Sequence, residues 1–286
     1  MIHIACGQCG NQLGEEILNQ LAGYAKDMLP SDSSFHEHQQ HLMANYVGID
    51  TEPKVIHSLL SRNKRANYRL DDQSMVYEHG GAGNNWALGY AMLSGRFLDA
   101  AINAVRHQLE ICDQPSIFLN IHSIGGGTGS GLGSKCIEVL SDEFPDMLQM
   151  NLVIAPYHFG EVVVQYYNTL LCLSHLSEFS NAIIVYENET VYNLCKHMCG
   201  NEKPILQDIN QTIARSLIPT FLSKASSQHA SMNSLYDDAI HLCSHPHYRF
   251  CTIYNAPFTS ESSIEYTHDS WQTLAKTIYT YAISLR

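Results

Sequence analysis

The 286-residue sequence is short of charge: Asp, Glu, Lys and Arg make up only 15% of it, against about 25% in an ordinary soluble domain. That excludes a disordered chain, a coiled coil and a heavily solvated surface. Basic residues are the scarcer sign, 16 against 28 acidic for a formal net charge of −12. Binding to nucleic acid normally needs the opposite balance and is disfavoured. No apolar run approaches the roughly 18–20 residues of a membrane span, so membrane insertion is not expected. The opening MIHIACGQCG is too short and too glycine-rich for a signal peptide. The chain has no internal repeat and no low-complexity tract. An odd set of nine cysteines fits a reducing compartment better than a disulfide framework. These absences point to an acidic, globular, cytoplasmic protein. Histidine, by contrast, is plentiful: protonating all 16 would turn −12 into +4, so surface charge is expected to depend on pH between about 5 and 7.

Short apolar runs recur at 2–5, 46–49, 116–121, 151–155, 182–186 and 249–254. Such runs read as strands buried on both faces. Helical stretches are predicted between them, over 11–25, 86–110, 132–140, 162–178 and 205–218. The alternation predicts an α/β fold, a parallel sheet covered by helices on both faces. Ile205, Ile209, Ile213 and Leu217 form one apolar helical stripe, which Pro219 is expected to kink or end. Residues 223–234 are polar and loop-like, and the last fifty residues read as a helix, a strand and a helix, too little for an independent domain.

In an open parallel sheet, ligands sit at the carboxyl ends of the strands. Here the strand ends run into Gly7-Gln8-Cys9-Gly10-Asn11-Gln12, Asp50-Thr51-Glu52-Pro53 and Ser123-Ile124-Gly125, and a further loop reads Gly80-Gly81-Ala82-Gly83-Asn84-Asn85-Trp86. The stretch from Gly125 to Gly133 holds six glycines in nine residues. Without Cβ atoms, such a backbone can approach a ligand closely. The following helix then turns free N–H groups and its positive end toward the same place, which suits phosphate. A flexible linker is the competing reading, disfavoured by the position between strand and helix. No Lys-Ser or Lys-Thr follows the glycines, so this is not a Walker loop, and the dinucleotide spacing G-x-G-x-x-G is absent. Phosphate charge must then be met by backbone amides and a cation. Asp50 and Glu52 are candidate water-mediated Mg²⁺ ligands, since Mg²⁺ takes few carboxylates beside phosphate oxygens; a solvated turn before Pro53 is an equal reading.

Together GGGTGSGLG, GQCGNQLG, the Glu-Pro after the second strand and GAGNNWALGY resemble the phosphate and nucleotide loops of the tubulin superfamily. The resemblance runs from Ile2 to about Tyr254. TEPKVI, GEVVVQYYN followed by LSHL, and DINQ are most similar to the delta-tubulin branch. It implies a tubulin-type GTP-binding domain over 1–203, a central helix over 204–222 and the start of a second α/β domain over 223–286. GTP or GDP with Mg²⁺ would be the cofactors. The resemblance places Gln8 and Cys9 on the phosphate and base side, with Gly10 and Asn11 opening the first helix. It sets Gly81, Ala82, Gly83 and Asn84 around the γ-phosphate, and Ser123, Gly126, Gly127, Thr128 and Gly129 around the α- and β-phosphates. Glu161 would contact the ribose, Asn188 and Asn210 would read guanine, and Tyr192 would pack nearby. A side-chain amide offers both a donor and an acceptor to guanine's mixed edge.

The sequence departs from the family in carrying Leu206 where an aromatic usually stacks on the base. The segment 24–45 is shorter than in alpha- and beta-tubulin. The family also implies longitudinal association with other tubulins, where an acidic residue of one subunit orients water at the nucleotide of the next. That position falls on Asp237, with Asp238 as the alternative and a solvated helix face as the competing reading. Slow hydrolysis on assembly is one expectation, in a cytoskeletal setting at centrioles, basal bodies and cilia. A scaffold that holds GTP without turnover is the other. Cys6-x-x-Cys9 could suggest redox or zinc chemistry, but its second cysteine lies in the nucleotide loop and no second pair completes four ligands. Cys195, His197 and Cys199 read as ordinary packing, His36, His38 and His41 as solvated residues of a polar segment, and His245 and His247 as flanks of Pro246.

Overall fold

Strands that are apolar on both faces must be covered on both faces, and the chain does this by winding helices to either side of one sheet. The computed structural model describes residues 1–25, 33–92, 95–112, 115–158, 160, 162–198, 203–222, 235–255 and 270–284. The first half contains β1 (Ile2–Cys6), α1 (Gly7–Leu21), β2 (Phe35–His38), β3 (His41–Ala44), β4 (Tyr46–Asp50), α2 (Pro53–Asn63), β5 (Met75–Tyr77), α3 (Trp86–Met92) and α4 (Gly95–Ile111). It continues with β6 (Ile117–Ser123), α5 (Gly133–Glu143), β7 (Leu148–Ala155), α6 (Gln165–Phe179), β8 (Ala182–Glu187) and α7 (Asn188–Met198). Last come α8 (Leu206–Phe221), α9 (Leu235–Leu242), β9 (Phe250–Cys251) and α10 (Trp271–Ser284).

The sheet has the order β5-β4-β1-β6-β7-β8-β9, and every neighbouring pair is parallel. The chain builds outward from β1 in one direction through β4 and β5, then returns to the other side of β1 with β6 and continues through β7, β8 and β9. The order therefore reverses beside β1, and a crevice opens at the carboxyl ends of β1, β4 and β6. Alternate residues of β1 serve two cores. Ile2, Ile4 and Cys6 pack with Phe97, Val105 and Leu140 under α4 and α5. Met1 and Ala5 pack with Leu13, Ile17, Ile213 and Leu217 of α1 and α8.

Several expectations need correction. The predicted first helix starts earlier, at Gly7 instead of residue 11, because the chain turns into it directly after Cys6 with φ +74° at Gly7. The stretch 86–110 is two helices rather than one. In the polar histidine-rich segment His38 and His41 are exposed, as expected, but the segment is a hairpin: β2 pairs antiparallel with β3 through Gln39 and Gln40, both at positive φ (49° and 66°), as a two-residue type I′ turn requires. His36 is tied there, Nδ1 lying 2.6 Å from Asn45 Oδ1. Pro219 sits inside α8, which stops two residues later at Phe221. Ile205 is not part of the buried stripe. It precedes α8, is 61% exposed and donates its N–H to Asp208 Oδ2 at 2.9 Å, whereas Ile209, Ile213 and Leu217 are buried. The loop reading at 223–234 lies outside the described residues, while the helix, strand and helix expected after it are α9, β9 and α10.

The contrast along α8 sets its own test. Ile213→Ala removes a fully packed side chain and is expected to cost about 2–5 kcal/mol. Ile205→Ala, at the exposed end of the same stripe, should stay within about 0.5 kcal/mol. Urea unfolding of the two variants beside the parent chain measures both, and equal costs would contradict this packing.

Candidate functional site

Four loops meet at the sheet's crevice, and glycine lets them do so. A Cβ at Gly127 would lie 2.5 Å from Asn85 N, and one at Gly131 would lie 2.1 Å from the Trp86 carbonyl oxygen. The glycine loop after β6 is thus pressed back to back against the 82–89 segment. On its other side, Gly7 lies against Gly129, its would-be Cβ 3.0 Å from Gly129 N. The loop after β4 joins through its side chain, Thr51 Oγ1 lying 3.0 Å from Thr128 Oγ1, and through its backbone, Gly81 N–H donating to the Thr51 carbonyl oxygen at 3.3 Å.

These loops enclose a cleft of ≈ 330 Å³. Of the candidate residues it is lined by Gln8, Cys9, Asp50, Glu52, Asn84, Ser123, Gly126, Gly127, Thr128, Gly129, Asn188 and Asn210. Gly7, Gln12, Val55 and Leu206 complete much of the wall. Among the described residues no Lys or Arg lines it. Asn188 opens α7 at the end of β8, and Asn210 stands on α8, so the cleft wall includes two residues that carry side-chain amides from separate helices.

Six candidates are placed elsewhere. Asn11 does not line the cleft, because its amide is already engaged. Nδ2 donates to the carbonyl oxygens of Gly7 at 2.9 Å and Ile49 at 3.2 Å, and its Oδ1 accepts from the Tyr46 hydroxyl at 2.9 Å. It acts as a beam under the first loop, tying α1 to β4. Gly81, Ala82 and Gly83 form the turn behind Asn84, with φ +67° at Gly81 and +53° at Gly83. Tyr192 packs on the core edge-on to Tyr157, ring centres 6.4 Å apart. Asp237, in the first turn of α9, is half-buried and away from the cleft. Glu161, Cys199 and the side chain of His197 lie outside the described residues.

The Cys6-x-x-Cys9 pair is divided. Cys6 meets Cys136 beneath β1, and that hydrogen bond with burial pushes its thiol well up. Cys9 faces the cleft, its thiol pushed up to about 11 by burial. Neither forms a thiolate at neutral pH, and among the described residues no group of three or more metal-ligating side chains converges.

Asp50 is the electrostatic centre of the site. Burial pushes its carboxyl up to about 6, opposed by backbone N–H groups of Glu52 and Thr51. Oδ1 accepts from Glu52 N–H at 3.2 Å, while Oδ2 is buried with no partner. An orphaned carboxylate oxygen on the wall of a cation-free cleft fits a water-clad divalent ion.

Two features escaped the sequence reading. Gln12 follows Gln8 by one helical turn, and that spacing alone puts both on one face of α1. Asn168 on α6 holds two loops at once: its Nδ2 donates to the carbonyl oxygens of Asn84 at 2.8 Å and Gly125 at 3.0 Å, and its Oδ1 accepts from Trp86 N–H at 3.0 Å. The signal for it was the buried stripe Gln165, Asn168, Cys172 and Leu176, polar at the end nearest the loops.

Comparison with known proteins matches residues 1–196 to the model of the tubulin/FtsZ family, GTPase domain. The chain is similar to the tubulin delta chain of Homo sapiens, 34% identical over 303 residues that cover 99% of this chain and 67% of that one. It is 33% identical to the tubulin delta chain of Mus musculus with the same coverage. To the tubulin beta-1 chain of Homo sapiens it is 29% identical over 283 residues, covering 93% of this chain and 62% of that one.

The raised Asp50 has a definite sign. The folded chain binds its proton more tightly than the unfolded chain does, so its contribution favours folding at low pH and is lost as pH rises from about 4 to about 6. Asp50→Asn is expected to remove that slope and to stabilise the ligand-free protein at neutral pH by about 1–3 kcal/mol. Urea unfolding of both proteins across that pH range measures it; an unchanged slope would show that Asp50 ionises normally.

Proposed function

Because the chain belongs to the tubulin/FtsZ family and carries its GTPase domain, we propose that it seats GTP or GDP in the cleft at the ends of β1, β4 and β6, and associates head to tail with other tubulins according to the nucleotide held. The observation that carries this reading is the cleft itself: a glycine-lined cleft of ≈ 330 Å³ with Asn188 and Asn210 on its wall and no Lys or Arg among its described lining residues.

On this reading the phosphates lie along the amides of 126–129 and beside Gln8, with Asn84 at the γ-phosphate and Ser123 at the loop's base. Asn188 and Asn210 read the guanine edge. Asp50 and Glu52 hold Mg²⁺ through its water shell, and that ion supplies the positive charge the cleft lacks. Leu206, 60% exposed at the start of α8, covers the base with an aliphatic face where the family's aromatic would stack, at a cost of about 1 kcal/mol. Gly81, Ala82 and Gly83 shape the turn that presents Asn84, and Asn11 fixes the loop holding Gln8 and Cys9. Glu161 is proposed for the ribose from the family pattern alone.

Head-to-tail association is supported by two surface features. Asp237 is away from the cleft of its own chain, as a carboxylate serving a neighbour's nucleotide would be. Tyr167, Leu170 and Leu171 are exposed on α6, the helix whose Asn168 holds the cleft-lining Asn84. Contiguous apolar residues of this kind mark association surfaces. The similarity to delta chains supports a cytoskeletal setting at centrioles, basal bodies and cilia. The second reading is a scaffold that keeps GTP without turning it over.

Titration of the purified chain with GTP, GDP and ATP, with and without Mg²⁺, is expected to show guanine-selective, Mg²⁺-strengthened binding. Asn210→Ala should weaken GTP by about 1–3 kcal/mol, roughly 5- to 150-fold, and erode the preference over ATP. A folded chain that ignores GTP, or takes ATP equally well, sinks the proposal. Asp237→Ala separates the two readings. Turnover on assembly predicts that stimulated hydrolysis falls about 100-fold or more with binding retained. The scaffold reading predicts a negligible rate that does not change.

A further inference from the structure

The cysteines among the described residues are free, and two pairs of them touch. Cys243 follows the last turn of α9 and Cys251 is in β9, eight residues on, and their Sγ atoms are 3.4 Å apart. Both are half-exposed, unlike the other touching pair, Cys6 and Cys136, which is buried beneath β1. The loop between them is held at each end. Arg249 donates from Nη1 to the carbonyl oxygens of Ser177, Glu178 and Ser180 at the end of α6, and Cys243 Sγ is 3.8 Å from the Arg249 carbonyl oxygen. β9 is in turn fixed beside β8, with Cys251 paired to Ile184. The two thiols are therefore kept facing one another by elements anchored independently. A metal would need further ligands, and none converge here among the described residues despite the nearby His245 and His247.

We propose that Cys243 and Cys251 are a redox modification site, closing a reversible intrachain disulfide when the protein meets a hydroperoxide. In the first step the Cys251 thiolate attacks one peroxide oxygen and the O–O bond breaks. Cys251 becomes a sulfenic acid, and the other oxygen leaves with a proton as alcohol or water. Cys243 sulfur then attacks the Cys251 sulfur: the S–S bond forms, the S–O bond breaks, and the Cys243 proton leaves with hydroxide as water. The two sulfurs together lose two electrons and the peroxide gains them. Burial and the contact with Cys251 push the Cys243 thiol up, which disfavours it as the sulfur that meets the peroxide first; the 3.4 Å contact then places it directly against the sulfenic acid. A thiol in exchange restores the pair. The closed bridge ties the end of α9 to β9 across Arg249, so oxidation stiffens the loop 244–249. This inference does not depend on the nucleotide reading.

Trypsin provides a direct test, because Arg249 lies between the two cysteines. The purified, fully reduced 286-residue chain is treated with a small excess of hydrogen peroxide, its remaining thiols are blocked, and it is denatured and digested. Cleavage after Arg249 separates the cysteines into two peptides, and the expected product is that pair still joined, released by dithiothreitol. Cys243→Ser and Cys251→Ser should each abolish the joined pair, while Cys112→Ser should retain it. Hydrogen exchange across 244–249 should slow on oxidation and recover on reduction. If either serine variant fails to fold, the mapping on the parent chain decides by itself. Separate peptides carrying free or over-oxidised sulfur, or bridges from either cysteine to a different one, would overturn the proposal.

Discussion

Everything at the crevice depends on how closely backbone meets backbone. Helix α1 lies so near the end of β6 that a Cβ on Gly10 would be 2.1 Å from the Ile121 carbonyl oxygen. A Cβ on Gly89 would be 2.3 Å from the Gly127 carbonyl oxygen. Those gaps fall below any real carbon contact, so the glycines are needed for space, whatever φ they adopt. Since α1 is also the inner partner of α8 in the main core, the position of the first loop, the glycine loop and the helix that carries Asn210 is set by one packing arrangement. Pulling α1 back by the width of a methyl group would open the cleft and loosen the core together.

Electrostatics follows from that geometry. A cleft walled by backbone amides can take up phosphate charge only in part, since a helix terminus contributes about 0.3–2 kcal/mol per charge. No Lys or Arg among the described lining residues makes up the difference, and the chain as a whole repels anions at −12. The one strongly perturbed acid at the site is Asp50, with an oxygen that no protein group satisfies. An unliganded chain carries that carboxylate at a cost, and a cation with an anion behind it would remove the cost. Stability and the proposed ion binding would thus draw on the same residue in opposite directions, as expected where a site is prepared for charge it does not itself contain.

The parallel sheet and its loops were legible because both signals are local. Fully apolar runs such as residues 152–155 need no partner to be recognised, and glycine density after β6 marks a close approach wherever it occurs. What stayed hidden depended on distant contacts. β5 is three residues long and exists because Gly48, Ile49 and Asp50 offer it an edge. The β2–β3 hairpin carries polar side chains on both strands and turns through two glutamines rather than Asn-Gly, so neither periodicity nor turn chemistry announced it. Ile205 matched the helical spacing but fell one step before the helix began, where Asp208 caps the chain instead. Asn11 matched a ligand motif yet its amide is used up inside the protein, a fact set by Tyr46 and Ile49, about 35 residues away in sequence. Motif resemblance located the cleft; which side chains face into it was decided by packing.

The same separation bears on how the site would work. α6 presents two unlike faces: Asn168 reaches in to hold the Asn84 and Gly125 carbonyls, while Tyr167 and Leu170 stand in solvent one position before and two after it. Whatever covers the outer face also bears on the inner hydrogen bonds, because a helix moves as a rod over a single turn. Behind Asn168, His175 lies between the rings of Trp86 and Phe179, so α3, which follows the Asn84 turn, is stacked on the same helix. A γ-phosphate contact at Asn84 would therefore be felt at an exposed apolar surface through one layer of side chains. The acidic candidate Asp237, on a different element and away from this cleft, completes the asymmetry. On the proposed reading, one chain would supply a binding cleft in one place and a carboxylate in another, and joining the two would take a second subunit.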